Sequence, residues 1–546
     1  TPKPSSAASD VYKRQGLSWR ALTIYATLII IFCIVMFRIF AIQFNDRDFL
    51  GSKGERMLNT SRVITALRGG IYDRNNFPLA VSVVQYNLFA LRNFSKEEYS
   101  AIKKILAINQ SFDEIDELKR KSLLFSNLDF SQHERIKALR LNGVEIESFQ
   151  KRYYPLGEQA SPFIGFAGKD GNGLEGLENI LDDRLSGIAG MEIVTRNASR
   201  KPKEVSPVTP GQNFNLTIDS RIQFYTFKHL SRFINANNAK GGSAIVLDNH
   251  SGEILAIASY PSYNPNSRSR IIQRNRVLVD AFEPGSIIKP LVLAKGIDLG
   301  LISLDQVIDT SPGFISLNNR KISDPRNYGE LSFKEIIQKS SQVGASKLAL
   351  MIGVDGLTSS YKAFGLSKPS NIFFPGLAYG TINTRPNISD HEIASLGFGY
   401  SMTASALQIA QAYSVFANDG YLKDFKIFQN DEEVYQQRVI SSKTASQVLL
   451  ALESVVKDGT GKLASITDHS VAGKTGTSHK PSSSGGYDKS KYISSFAGIA
   501  PLSSKRLTIF VSVEEPGLNN YSGGMVAAPL FAAISKDVLN LSLIHI

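Results

Sequence analysis

The sequence predicts an α+β protein in three parts: a single membrane-spanning helix, a mixed α+β domain, and a larger domain of helices laid on an antiparallel sheet. Three observations carry this. An uncharged run, ALTIYATLIIIFCIVMF from Ala21 to Phe37, is just long enough at ~1.5 Å per residue to cross a hydrocarbon core. The prolines Pro202, Pro207 and Pro210 crowd one short segment and mark a domain boundary. Beyond it, helical stretches are enclosed between early and late strand-like segments, the pattern of helices on an antiparallel sheet. With 546 residues, 42% hydrophobic and 20% charged, the composition is globular and excludes collagen-like, coiled-coil and wholly disordered chains. The 61 Lys+Arg against 49 Asp+Glu give a formal +12, which suits nucleic acid or an anionic membrane surface and selects neither. Cys33 stands alone, so neither an intrachain disulfide nor a four-cysteine zinc site can form.

The apolar run carries no polar stripe, which favours a membrane span over a buried core helix. It exits through Phe40-Ala41-Ile42-Gln43, without the small-x-small site of a cleaved signal peptide. We therefore read residues 21–42 as an uncleaved anchor. Lys13, Arg14 and Arg20 precede it and the balanced Asp46-Arg47-Asp48 follows, which places the N-terminus in the cytoplasm and the rest outside. The ends TPKPSSAASDVYKRQ and LSLIHI fit neither neighbouring pattern and read as assembly remnants, which leaves Arg20 as the dependable charge. The expected parts are thus a cytoplasmic tail (1–20), the anchor, a mixed α+β domain (45–210), a second domain (211–540) and a tail (541–546).

In the mixed domain, β-branched runs at Val63-Ile64 and Val81–Val84 surround a Gly69-Gly70 turn. The charged Arg68, Asp73 and Arg74 beside it are candidate surface groups. Ser95 with Glu98 and Ser131 with Glu134 are spaced as capping boxes for short helices, and Val144–Glu147 alternates like a half-buried strand. The second domain opens with a helix from Asp219. A hairpin of Ser243–Leu247 and Glu253–Ala258 follows, turning at DNHSG, and Leu507–Val513 reads as a late strand.

In EPGSIIKP, a Pro-Gly turn delivers Ser286 to the start of an apolar helical run, and Lys289 follows one helical turn later on the same face. A serine hydroxyl needs a base, and a lysine serves if burial and nearby positive charge keep it neutral. The spacing alone is weak, since it recurs at Ser100, Ser148 and Ser359. In VAGKTGTS, Lys474, Thr475 and Thr477 present donors to an anion as if from a strand. A phosphate loop would need Gly where Asp468 stands. No HExxH and no Gly-x-Ser-x-Gly elbow occurs, so zincin and α/β-hydrolase readings have no anchor. Between the two motifs lies Ser340-Ser341-Gln342, at the end of the helical-looking FKEIIQ.

Taken in order, Ser-x-x-Lys, Ser-Ser-Gln and Lys-Thr-Gly resemble the three motifs of penicillin-recognising serine acyltransferases. Longer phrases narrow the resemblance to the class B penicillin-binding proteins: RGGIYDRNNFPLA (68–80), RYYPLGEQASPFIGF (152–166), GNGLEGLE (171–178), LDNHSGEILAIASYPSYNPN (247–266), RNRVLVDAFEPGSIIKP (274–290), FGYSMTASALQIAQAYSVFANDG (398–420) and GGMVAAPLF (523–531). They cover most of the chain from the anchor to about residue 540. The RNR-to-EPGS spacing is similar to the division branch of the family rather than the elongation branch.

The resemblance implies a serine β-lactamase-like transpeptidase domain on a non-catalytic pedestal of the dimerisation type. It implies Ser286 as nucleophile, Lys289 as its base and Ser340 as proton relay. Lys474, Thr475, Gly476 and Thr477 would hold the substrate carboxylate, and the N–H groups of Ser286 and Thr477 would form the oxyanion hole. Gln342 stands where the family has Asn, and its extra methylene moves the amide by ~1.5 Å in a site where about 1 Å can cost ~10²-fold in rate. A catalytically dead scaffold is therefore the second reading. A β-lactamase or β-lactam sensor, the third, lacks the pedestal. Implied partners are peptidoglycan stem peptides, β-lactams, the division-site membrane glycosyltransferase and other divisome proteins, with no nucleic acid and no metal or organic cofactor. No repeat module follows, as in the Gram-negative form, which implies an inner-membrane protein with a periplasmic catalytic domain.

Overall fold

The computed structural model describes residues 18–44, 47–91, 94–106, 112, 121–195, 203–267, 273–383, 385–430, 434–482, 485–503, 507–517 and 521–544. Lys13, Arg14, Asp46, Lys201 and Pro202 lie outside them. The chain divides into two compact units: the residues up to Ala66 with Ile188–Thr209, and Leu67–Gly187 with Pro210–Ile546.

The first unit carries the apolar helix Trp19–Phe44, none of whose residues is buried. The helix is long and apolar enough to cross a membrane and fits a single-pass anchor. A second helix, Arg47–Leu58, follows. The strands Asn59–Ile64, Gly190–Thr195 and Lys203–Ser206 then form a three-stranded antiparallel sheet with Gly190–Thr195 in the middle. The proline-rich segment is thus partly a paired strand rather than open linker.

The second unit carries the long strand Pro78–Leu91, which pairs with Val144–Tyr153, Lys121–Leu128 and Ile71–Tyr72. Leu88 and Leu128 close a small core with Ile102 and Ile136, which come from the helices Lys96–Leu106 and Phe130–Ala138. The Ser95–Glu98 capping box is present. The Ser131–Glu134 expectation is corrected: the cap is Asp129, whose carboxylate accepts the Gln132 N–H at 2.7 Å while Gln132 Oε1 accepts the Asp129 N–H at 3.1 Å. Asp caps as well as Ser, so this equally good box two residues earlier wins. Arg68 and Asp73 are also corrected, being 6% and 0% exposed. Arg68 pairs at 2.7 Å with the buried Glu178, which also holds Arg152 at 2.6 Å.

The rest of the unit is built on five antiparallel strands: β1 (Gly241–Asp248), β2 (Ile254–Tyr260), β3 (Ala472–Pro481), β4 (Tyr487–Ala500) and β5 (Leu507–Glu514), in the order β2-β1-β5-β4-β3. Alternation along β1 sends Ala244 and Val246 to one core and Ile245 and Leu247 to another, as a strand buried on both faces requires. One face is covered by helices α1 (Ser220–Ala236) and α6 (Ala527–Ile544). Asp219 caps α1 by accepting the Arg221 N–H at 3.0 Å. The other face carries the helices between the early and late strands, among them α2 (Lys289–Asp298), α3 (Phe333–Lys339), α4 (Gln342–Ala363, broken at Gly353) and α5 (Ala406–Ala417). This is the helices-on-antiparallel-sheet arrangement expected from the sequence.

Candidate active site

Three segments converge in the second unit. The first precedes α2. Gly285 sits at φ 59°, in the left-handed region that glycine enters without strain, and donates its N–H to Gly399 O at 3.1 Å. A 3₁₀ turn over Gly285–Ile288 then runs directly into α2. Ser286 is half-buried at its surface, whereas Ile287 and Ile288 are buried. Tyr413 from α5 ties the turn down by donating its hydroxyl to Ile287 O at 2.7 Å. Lys289, one turn on, is 1% exposed.

The second segment is the corner between α3 and α4. The Ser332–Glu335 capping box starts α3, and Ser340 closes it in the left-handed conformation (φ 60°, ψ 38°). Ser341 then caps α4, its hydroxyl accepting the Gly344 N–H at 3.0 Å. The two helices turn at Ser340, so its side chain is aimed by backbone geometry rather than by a free loop.

The third segment is β3, an edge strand whose outward backbone groups are left unpaired by the sheet. It carries Lys474, fully buried, and Thr475, 7% exposed. A Cβ on Gly476 would meet Ser495 Oγ at 2.5 Å and Ile287 Cγ1 at 2.6 Å. Only glycine lets the turn bearing Ser286 lie against this strand. Thr477 Oγ1 accepts the Gly523 N–H at 2.9 Å, and Thr475 Oγ1 lies 2.8 Å from Thr460 Oγ1.

Side chains from all three meet at Ser340. Lys289 Nζ donates to Ser340 O at 2.6 Å and Oγ at 3.2 Å, and Lys474 Nζ donates to Ser340 Oγ at 2.9 Å and Thr475 O at 3.2 Å. One hydroxyl therefore bridges two buried lysine nitrogens. Burial pushes Lys289 down to about 7, with the Asp324 carboxylate pulling in the opposite direction. Burial, and then the charge of Lys289, push Lys474 well below the usual lysine range. Lys289 is therefore not the permanent cation it would be in water and can exchange a proton near neutral pH.

Lys289 Nζ is thus engaged with Ser340 rather than with Ser286. Gln342 enters the site through its backbone N–H, which Asp324 Oδ1 accepts; its side-chain amide has no hydrogen bond with a described residue. Sequence reasoning missed Asp324, Tyr413, Thr460 and Gly523. Tyr413 and Gly523 lie within phrases that carried the resemblance, but nothing in those phrases pointed to Ile287 or Thr477. Asp324 and Thr460 are long-range partners with no spacing signal.

The arrangement is a hydroxyl at a helix start, a buried low-affinity lysine one turn on, and a second buried lysine on a sheet edge, which together suit acyl transfer. Comparison with known proteins agrees. Residues 242–536 match the family described as the penicillin binding protein transpeptidase domain, and residues 63–216 match the penicillin-binding protein dimerisation domain. The peptidoglycan D,D-transpeptidase FtsI of Escherichia coli K12 is 34% identical, with 96% of this chain and 92% of that protein covered. FtsI of Buchnera aphidicola from Schizaphis graminum is 33% identical over 96% and 95%. A crystal structure of penicillin-binding protein 3 from Mycobacterium tuberculosis with aztreonam superposes with a TM-score of 0.70 at 26% identity, covering 88% of this chain and 98% of that one. The chain belongs to the class B penicillin-binding proteins, the family of peptidoglycan D,D-transpeptidases in which a dimerisation domain precedes a transpeptidase domain.

Proposed function

We propose that this protein cross-links peptidoglycan stem peptides during cell division through an acyl-enzyme on Ser286. The observation that carries the proposal is the Ser340 hydroxyl held between Lys289 and Lys474 beside the turn that presents Ser286. Neutral Lys289 takes the Ser286 proton as Oγ attacks the penultimate D-Ala carbonyl. The peptide C–N bond breaks, an ester forms, and the terminal D-Ala amine leaves with a proton relayed through Ser340. Lys474, Thr475 and Thr477 hold the terminal carboxylate, and the Ser286 and Thr477 N–H groups receive the oxyanion. An amine from a second stem peptide then displaces Ser286, forming the new amide and returning the proton. β-Lactams would follow the first half of this path. The test is reaction of the full chain with a stem pentapeptide and an amine acceptor, reading D-Ala release against new amide formed.

Gln342 replaces the family's Asn, so Gln342→Asn is expected to preserve or raise the acylation rate. A scaffold without activity would instead take up no penicillin in either form.

The apolar helix, with Arg20 at its start, fits a single-pass inner-membrane anchor with a cytoplasmic N-terminus and a periplasmic catalytic domain. Ala21, Thr23, Ala26 and Thr27 on its inner half leave room for the close approach of a second helix. The Thr23 and Thr27 hydroxyls donate to Arg20 O and Thr23 O, both at 2.8 Å, so contact there relies on small size rather than on free hydrogen-bonding groups. The partner expected is the division-site glycosyltransferase. Replacing residues 21–42 with an unrelated span of equal length should weaken co-purification with it and septal localisation; retention of both would make the helix a tether only.

A further inference from the structure

We infer that Asp324 is a positioning residue for the acylation step, holding the corner that aims Ser340 between the two lysines and supplying the negative charge that Lys289 faces. The inference rests on Lys289 acting as the base. Asp324 follows the strand Arg320–Ser323, is 8% exposed, and is fixed by its own N–H, which donates to Gly313 O at 2.9 Å. Its Oδ2 accepts the Ser341 hydroxyl at 2.5 Å, and its Oδ1 accepts the Val343 N–H at 3.2 Å and the N–H of Gln342. These are N–H groups of the first turn of α4, which have no partner inside the helix. One carboxylate from a distant segment thus clamps the α4 side of the corner, in the residues that directly follow Ser340.

All three donors are neutral, so none of them cancels the carboxylate's charge. A neutral Asn or Ser caps a helix as well as Asp does, and burying a charge is unfavourable unless something uses it. The groups facing Lys289 are Ser340 from the end of α3, Lys474 from β3 and Asp324. Of these, Asp324 is the one that carries a negative charge, which adds to the Ser340 acceptors in favouring the protonated lysine and so helps Lys289 hold the proton it takes from Ser286.

Asp324→Asn keeps an oxygen for the two backbone donors and removes the charge. It is expected to melt like the wild type and to be acylated by labelled penicillin, with the acid limb of the second-order rate moved down by roughly one pH unit, since loss of a nearby opposite charge lowers the lysine's proton affinity by about that much. Asp324→Ala also removes the hydrogen bonds and should be acylated at least ~10-fold more slowly at every pH. An Asp324→Asn variant with the wild-type acid limb overturns the inference, as does a folded Asp324→Ala variant with the wild-type rate. If the alanine variant does not fold, the asparagine profile decides. Lys289→Arg run alongside separates the two levels: acylation persisting there rejects the base role itself, whereas acylation lost there with an unmoved limb in Asp324→Asn rejects the inference alone.

Discussion

A Ser286→Ala variant is expected to release no terminal D-Ala from a stem pentapeptide and to form no cross-link, a loss of at least ~10³-fold, with an unchanged melting curve. Ser286 lies half-buried on a turn packed against β3, so removing its hydroxyl deletes the nucleophile and little of the core. Among the described residues no other hydroxyl is equivalently placed. Ser340 is held between two lysine nitrogens. Ser100, Ser148 and Ser359 are exposed, and Ser148 lies on the strand Val144–Tyr153, where a lysine three residues on points to the opposite face. Residual turnover within ten-fold of wild type would place the nucleophile elsewhere.

Lys289→Arg is expected to be as severe. A guanidinium does not give up its proton in the accessible pH range, so it cannot relieve Ser286 of its own. Lys289→Met removes the base without burying a permanent charge, and should also be inactive while melting normally. The wild-type rate carries the same signature. Burial holds Lys289 at about 7; below that pH the lysine is protonated, and the second-order acylation rate should fall about ten-fold per unit. A rate flat from pH 8 to pH 5, or near-normal acylation of a stably folded Lys289→Arg, would remove Lys289 from the mechanism.

How far the sequence could be read depends on the range of the forces involved. The hairpin of β1 and β2, the start of α1 at Asp219 and the late strand β5 were legible because turn residues, caps and period-two alternation act over a few residues. The same locality made Ser131 look like a cap, when Asp129 two residues earlier is the one used. Ser286 and Lys289 share a helical turn, so their pairing could be read directly. Ser340, Lys474 and Ser286 come together only because Gly476 admits the turn bearing Ser286 against β3, and their placement was expected from motif order and family resemblance alone. Asp324 was invisible: it acts across a sequence distance of 17 to Ser341, from a segment without periodicity. The left-handed Ser340 was likewise hidden, since FKEIIQKSS gives no glycine to announce the corner.

The most direct test of the account is the intact mass of the full chain after incubation with a penicillin, followed by peptide mapping. The account predicts one stable adduct, of the mass of one penicillin, on the peptide containing Ser286, and none on Ser286→Ala. An unmodified wild-type mass, or an adduct on a peptide carrying Ser100, Ser148 or Ser359, would contradict it.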